Sequence, residues 1–309
     1  MLLQELMRMR STAEGAERDI AAYLIDERSR VPALSARELA RAVHVAPSTV
    51  VRFCQRLGYA GYIDLRDAMQ AELSYLTSHF EGIDPNYPFD MGEQHMVVAH
   101  KIGTLYREIV DDTLGLLHPE AFDRAVAAMG SAREVVVCAT GVQLSFAEGF
   151  RNKMLKIGRT VELEPRTSSA FYRAAHARDG SVAFVMLSYS GESERLLRVA
   201  RAARANGAPV VAITSLGGNA LSGLADATLH VSTRETLEDN IGHFAMNVST
   251  ALLLDVVYAC IFNQDYFANY ERRVETARAY EASRGAAGAV PRDAARALEG
   301  LGRQIGGDA

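Results

Sequence analysis

"SVAFVMLSYSGESERLLRVARAARANGAPVVAIT", residues 181–214, decides the fold. It opens on the apolar run ending at Leu187, turns through serine and glycine at Ser188–Ser193, and then changes period. Glu194, Leu197, Val199 and Ala200 begin a helical stretch, which ends before the second run, Pro209–Thr214. A strand, a helix and a second strand make a βαβ unit, whose strands lie parallel because the helix carries the chain back to its starting edge. Three further short runs of the same kind accompany it: EVVVC (134–138), TVELE (160–164) and ATLHV (227–231). Strands alternating with helices predict an α/β domain whose parallel sheet is covered on both faces.

Outside this region the period is different. From Glu17 to Leu76 the apolar spacing is helical throughout and nothing reads as a strand. The stretch EGIDPNYPFDMG (81–92), with two prolines and two glycines, is the expected linker. A helical pair, about 93–115 and 119–129, leads into the sheet, and a charged helix follows Asn263. The expected division is therefore an all-α domain over 1–80, the linker, an α/β domain over 93–284 and a flexible Ala/Gly-rich tail over 285–309.

Bulk numbers bound the function. A chain of 309 residues suits two domains. The net charge of −5 excludes a protein that coats nucleic acid along its whole length, while leaving room for a local basic patch. The bias of 30 arginines to three lysines reads as genome composition rather than chemistry. Cys54, Cys138 and Cys260 are scattered, without paired spacing, which points to a reducing compartment with neither disulfide nor zinc site. The first residues lack the pattern of a signal peptide. The most apolar stretch, STALLLDVVYACIF (249–262), is broken by Asp255 and reads as too short to span a bilayer. The expectation is a cytoplasmic protein with no membrane partner, no metal and no cofactor.

The segment SARELARAVHVAPSTVVRFCQRLGY (35–59) reads as two helices and a turn. Ser35 and Glu38 form a capping box, His44-Val45-Ala46 make the turn, Pro47 opens the second helix and Gly58 closes it. On the second helix Val50, Phe53, Cys54 and Leu57 share one face, while Ser48, Arg52, Gln55 and Arg56 share the other, with Thr49 beside them. Any surface helix has a polar face, but this one suits a major groove: arginine forks onto guanine, glutamine onto adenine, and hydroxyls reach phosphates. Between Arg28 and Arg56 six arginines stand against one acid, a local charge of +5. The residues expected to meet DNA are Ser35, Arg37, Pro47, Ser48, Thr49, Arg52, Gln55 and Arg56.

The turn after Leu187 reads in two ways. Ligands of open parallel sheets bind at the carboxyl ends of the strands, and a helix N-terminus there offers free N–H groups and a positive dipole end. Ser188, Ser190 and Ser193 add hydroxyls and Gly191 permits close backbone approach, so the preferred ligand is an anion such as a phosphate monoester. Alternatively the same residues only cap the helix and shape its turn. A nicotinamide site at the first strand–helix turn fits poorly: Glu162 and Glu164 stand where the acid belongs, but two of three glycines are missing.

Two resemblances join these observations. ERDIAAYLI (17–25) with LSARELARAVHVAPSTVVRFCQRLGYAGYIDLRDAM (34–69) resembles the N-terminal domain of RpiR-type bacterial transcription regulators. Thr49, Val50, Arg52, Phe53, Leu57 and Gly58 stand at that family's recognition-helix positions, and Ala46 replaces its N-cap serine, a loss of roughly 1 kcal/mol unless Pro47 or Ser48 compensates. Residues 130–231 resemble a sugar isomerase (SIS) domain, with Ser188, Ser190, Gly191, Glu192 and Ser193 on its Ser-x-Ser-Gly-(Glu/Asp)-Thr signature.

The second resemblance implies a five-stranded, doubly wound, flavodoxin-like sandwich whose serine turn holds the phosphate of a phosphosugar. The first turn, CATGVQLSFAEGF (138–150), departs from the family's Gly-x-Gly-x-Ser: Gly141 is kept, and Gln143 or Ser145 is left to supply the missing donor. The expected effector contacts are Gly141, Gln143, Ser145, Ser188, Tyr189, Ser190, Gly191, Glu192, Ser193 and Glu235, the last from the segment that closes over the ligand in such domains. A non-enzymatic regulator of a carbohydrate or phosphosugar catabolic operon follows, with operator DNA and a small anionic sugar derivative as partners. It is expected to be a homodimer, or a tetramer, joined through helices near 93–129 and 243–280. The competing expectation is a sugar-phosphate isomerase using Glu235, Glu238 or His243 as general base.

Overall fold

The computed structural model describes residues 2–28, 30–78, 82–139, 143–178 and 180–282. Five helices form the first unit: α1 (Leu2–Thr12), α2 (Ala16–Asp26), α3 (Ala36–Ala42), α4 (Pro47–Arg56) and α5 (Tyr62–Ser78). Leu6, Ile20, Leu24, Leu39, Phe53, Leu65 and Met69 are its fully buried centre. Helix α1 lies outside the helical stretch read from Glu17 onward. Its stripe of Leu2, Leu3, Leu6 and Met9 joins this core, and its first N–H groups, on Leu2 and Leu3, donate to the Glu72 carboxylate of α5 at 2.9 and 3.1 Å. A carboxylate there satisfies orphan donors and sits at the positive end of the helix dipole.

The second unit begins with α6 (His95–Gly115) and α7 (Pro119–Ser131) and continues as β1 (Glu134–Ala139), α8 (Leu144–Leu155), β2 (Thr160–Glu164), α9 (Thr167–His176), β3 (Val182–Leu187), α10 (Glu194–Ala205), β4 (Val210–Ser215) and β5 (Ala227–Val231). Two helices, α11 (Phe244–Gln264) and α12 (Tyr266–Ala282), follow the sheet. Every strand pair is parallel and the order is β2-β1-β3-β4-β5, the doubly wound arrangement expected.

Side-chain alternation along the strands sorts the two covering layers. Val135, Val137, Val185, Leu187, Val211, Ile213 and Leu229 face Phe150 and Met154 of α8, Met129 of α7 and Leu253, Leu254 and Val257 of α11. Their neighbours Val136, Cys138, Phe184, Met186, Val210 and Ala212 face Ala170 and Ala174 of α9 and Leu196, Val199, Ala200 and Ala203 of α10. Burial pushes the Cys138 thiol up to about 12 and the Cys54 thiol up to about 11, so both behave as small apolar groups. The expected flexible tail, 285–309, lies outside the described residues.

One expectation needs correcting. The apolar stretch judged too short for a bilayer belongs to a helix of 21 residues whose most apolar 18-residue stretch has mean hydropathy 1.7, long and apolar enough to cross one by length and composition alone. Its face carrying Met246, Leu253, Leu254, Val257 and Ile261 packs on the sheet core, while Ala245 packs on Leu105 and Ile109 of α6. Being covered from two sides explains why the helix is apolar nearly all round.

Candidate functional site

The strand order reverses between β1 and β3, where Ala139 and Leu187 are register partners at the carboxyl ends. The carboxyl ends of these two strands therefore lie side by side, at the crevice where such sheets bind ligands. Residues 140–142, including the expected contact Gly141, lie outside the described residues. Gln143 donates from Nε2 to the Met246 sulfur at 3.3 Å, which places its amide against the first turn of α11. Ser145 is exposed on the first turn of α8.

The Ser188–Ser193 turn is braced from within. The Ser188 hydroxyl accepts from the Gly191 N–H at 3.2 Å, and the Ser190 hydroxyl accepts from the Glu192 N–H at 3.3 Å. Ser193 is the N-cap of α10 by position, yet its side chain makes no capping bond. Capping alone thus does not account for the third hydroxyl. Gly191 has φ +68°, and a Cβ there would lie 2.1 Å from Asn219 Oδ1, so both the backbone and the space demand glycine. Asn219 is itself fixed: its Nδ2 donates to Thr214 Oγ1 at 3.1 Å and its Oδ1 accepts from the Ser222 N–H at 2.9 Å.

Three further expected contacts have structural partners of their own. Glu192 accepts from the Ala220 N–H at 2.8 Å, holding the turn against the loop after β4. Tyr189 is 4% exposed and donates its hydroxyl to the Glu235 carbonyl at 2.6 Å. Glu235 is 2% exposed and caps α11, its carboxylate accepting from the Ala245 and Met246 N–H groups. The chain thus brings Gln143, the serine turn and Glu235 to one end of the sheet, whereas Asn219 escaped the sequence reading. Its one visible signal is position, in the glycine-rich loop GGNALSG that follows β4.

Burial pushes the Glu235 carboxyl up from 4.5 to about 7, against the pull of the Ala245 and Met246 N–H groups. Between those two values the folded protein keeps a proton that the unfolded chain has released. Stability therefore falls as pH rises through that window and levels off above it, by on the order of 3 kcal/mol in full. Glu235→Gln cannot titrate. Its melting temperature, scanned from about pH 5 to about pH 8, is expected to follow a flatter line than the wild type's. Equal slopes would assign the pH dependence to another group.

In the helical unit, α3 and α4 meet through a turn in which His44 takes φ +54° and the Val45 N–H reaches back to the Ala40 carbonyl at 2.8 Å. Ser35 and Glu38 make the capping box at 2.7 and 3.3 Å, so the Ser35 side chain serves α3. Helix α4 has Ala46 as an N-cap without a side-chain bond, Pro47 at its first position, and Gly58 at φ +86° past its end. Val50, Phe53 and Cys54 are buried, while Pro47, Ser48, Arg52, Gln55 and Arg56 are exposed and Thr49 is half-buried.

The basic footprint is smaller than its count of six arginines suggests. Arg56 donates to both carboxylate oxygens of Glu17 on α2 at 2.7 and 2.6 Å, and Arg30 pairs with Glu27. Among the described residues Arg37, Arg41 and Arg52 form no ion pair. An open cavity of about 330 Å³ lies beside the Arg56–Glu17 pair, lined also by Glu5, Arg8 and Glu14. Its two arginines are already matched by acids, so it is not an anion site.

Comparison with known proteins matches both units. Residues 1–75 fit the family model described as a helix-turn-helix domain of the rpiR family, and residues 129–259 fit that of the SIS domain. An uncharacterized HTH-type transcriptional regulator of Caldanaerobacter subterraneus subsp. tengcongensis is 25% identical over 268 residues, 86% of this chain and 92% of that one. The NanR protein of Vibrio vulnificus, solved in complex with ManNAc-6P, is 23% identical with a TM-score of 0.57, covering 90% of this chain and 97% of that one. The sugar isomerase domain of an RpiR transcription factor from Sphaerobacter thermophilus is 20% identical with a TM-score of 0.51, covering 60% and 99%.

Proposed function

We propose that the chain, a helix-turn-helix domain of the rpiR family followed by a SIS domain, is a transcriptional regulator of the RpiR type that reads its operator through the outer face of α4 and senses a phosphosugar at the Ser188–Ser193 turn. One observation carries the reading. The same chain presents an exposed Ser/Gln/Arg helix face and, at the switch point of a parallel sheet, a glycine-pinned serine turn of the kind that binds phosphate. The ManNAc-6P bound by the Vibrio vulnificus neighbour supports a phosphorylated sugar as the ligand class.

In this proposal the contacts divide as follows. Arg52 and Gln55 are placed to read bases, Ser48, Thr49 and Arg37 to meet phosphates. The hydroxyls of Ser190 and Ser193 and the N–H groups opening α10 are placed to hold the effector's phosphate, with Gln143 and Ser145 nearer its sugar. Symmetric operators call for a homodimer. An aromatic ladder from Tyr258 through Phe262 and Tyr266 to Phe267, with centroids 5.3–5.9 Å apart, ends in Phe267 at 72% exposure, a surface suited to a second copy. The molecule works in the cytoplasm on a carbohydrate or phosphosugar catabolic operon.

Catalysis is the weaker reading. Glu235, the best-placed general base, spends its carboxylate on two backbone N–H groups of α11 and is nearly inaccessible. A thermal-shift screen of sugar phosphates, paired with binding to DNA from the protein's own upstream region, tests the proposal. The expected result is a stabilising phosphosugar that changes DNA affinity and is recovered unaltered. Isomerisation of that sugar would favour the enzyme.

A further inference from the structure

The segment expected to be the linker is fastened to the loop that borders the serine turn. Arg234 donates from Nη2 to the Ile83 carbonyl and from Nη1 to the Glu108 carboxylate, both at 2.9 Å, with its side chain 4% exposed. Asn86 works as a rivet. Its Oδ1 accepts from the Thr236 N–H at 2.8 Å, its carbonyl accepts from the Ile241 N–H at 3.0 Å, and its Nδ2 donates to the Arg234 carbonyl at 3.3 Å. Tyr87 bonds Asp239. Gly82 lies so close to Glu108 that a Cβ would meet Oε1 at 1.8 Å, which clamps the start of the segment onto the same ion pair.

The other side of that loop holds the serine turn. Tyr189, inside the turn, donates to the Glu235 carbonyl at 2.6 Å, between the two residues that Asn86 grips. Hydrogen bonds joined by the main chain of residues 234–236 thus link Tyr189 to Asn86, on the stretch of chain that arrives from the DNA-reading unit. Charge-assisted bonds to a buried guanidinium and bonds to main-chain groups hold a segment in one place, unlike a solvated linker.

We propose that residues 82–87 are a latch, with Tyr189 and Asn86 as its two fasteners, through which the state of the Ser188–Ser193 turn sets the path of the chain entering from the helical domain. This rests on the regulator function proposed above and supplies its mechanical link. Two sites couple only where an element with two arrangements is biased by both, and the latch, open or closed, is such an element.

A double-mutant cycle on operator affinity tests it, using the full-length protein and DNA from its own upstream region. Tyr189→Phe removes one fastener and Asn86→Ala the other, each without changing charge. Each is expected to shift the operator Kd at least threefold in the same direction, and the double variant no further than either single, because a latch undone at one end has nothing left to lose at the other. Melting curves within a few degrees of the wild type separate this from unfolding. An unchanged Kd in either variant, or shifts that multiply in the double, overturns the latch. Absence of operator binding by the wild type overturns instead the DNA-reading function on which it rests.

Discussion

Replacing Arg52 by alanine is expected to remove specific operator binding while leaving effector-induced stabilisation intact. Arg52 is exposed on α4 and has no acid beside it among the described residues, so its guanidinium is available to a guanine edge. A bidentate contact of that kind discriminates by about 1–3 kcal/mol, roughly ten- to a hundredfold per half-site, and a symmetric dimer loses it twice. Alanine favours helices, and the buried face of α4 is untouched, so the fold is expected to survive. Binding curves on operator and on unrelated DNA distinguish the outcomes. Loss on the operator alone marks a base contact, whereas an equal loss on both marks a phosphate contact. Arg56 offers the contrast: already held by Glu17, its truncation is expected to cost less.

Gly191→Val is expected to do the reverse. Its φ of +68° is strained for any residue with a Cβ, and that atom would press on an Asn219 side chain fixed by Thr214 and Ser222. The turn must open or shift, and the donors around Ser188 and Ser190 leave their places. Stabilisation by the phosphosugar found in the screen should fall at least a hundredfold in effective concentration, while operator binding itself is kept, its Kd shifted by no more than in Tyr189→Phe. Gly191→Ala imposes the same backbone strain with less bulk and should give a smaller loss. A Val variant that still responds to effector would place the anion elsewhere on the sheet edge.

These expectations draw unequally on the sequence. The five strands were legible because short β-branched runs stand between glycine, proline and charged turns, and the observed ends fall within a residue of them. Helix α4 was legible because Val50, Phe53 and Cys54 recur at helical spacing between Pro47 and Gly58. Helix α1 was not, since its capping carboxylate, Glu72, comes from about 70 residues away.

The same limit hid the roles of several site residues. Tyr189 and Glu235 both read as effector contacts, but nothing local says that they grip one another across 46 positions. Nor does the text around Asn86 show that it bonds Thr236, 150 positions on. Arg56 looked like a free cation because Glu17 stands 39 residues before it. Local propensity reveals elements, whereas long-range hydrogen bonds reveal which polar residues are already spoken for.

The most direct test is reciprocity. If the phosphosugar changes operator affinity by some factor, saturating operator DNA must change phosphosugar affinity by the same factor. Calorimetric titration of the phosphosugar into the free protein and into its operator complex measures the second factor, and operator binding with and without the phosphosugar measures the first. A regulator built this way gives two different affinities whose ratio matches the ratio of operator Kd values. Identical phosphosugar affinities, with and without operator, would mean that the serine turn and the α4 reader work independently, and the proposed regulation would be wrong.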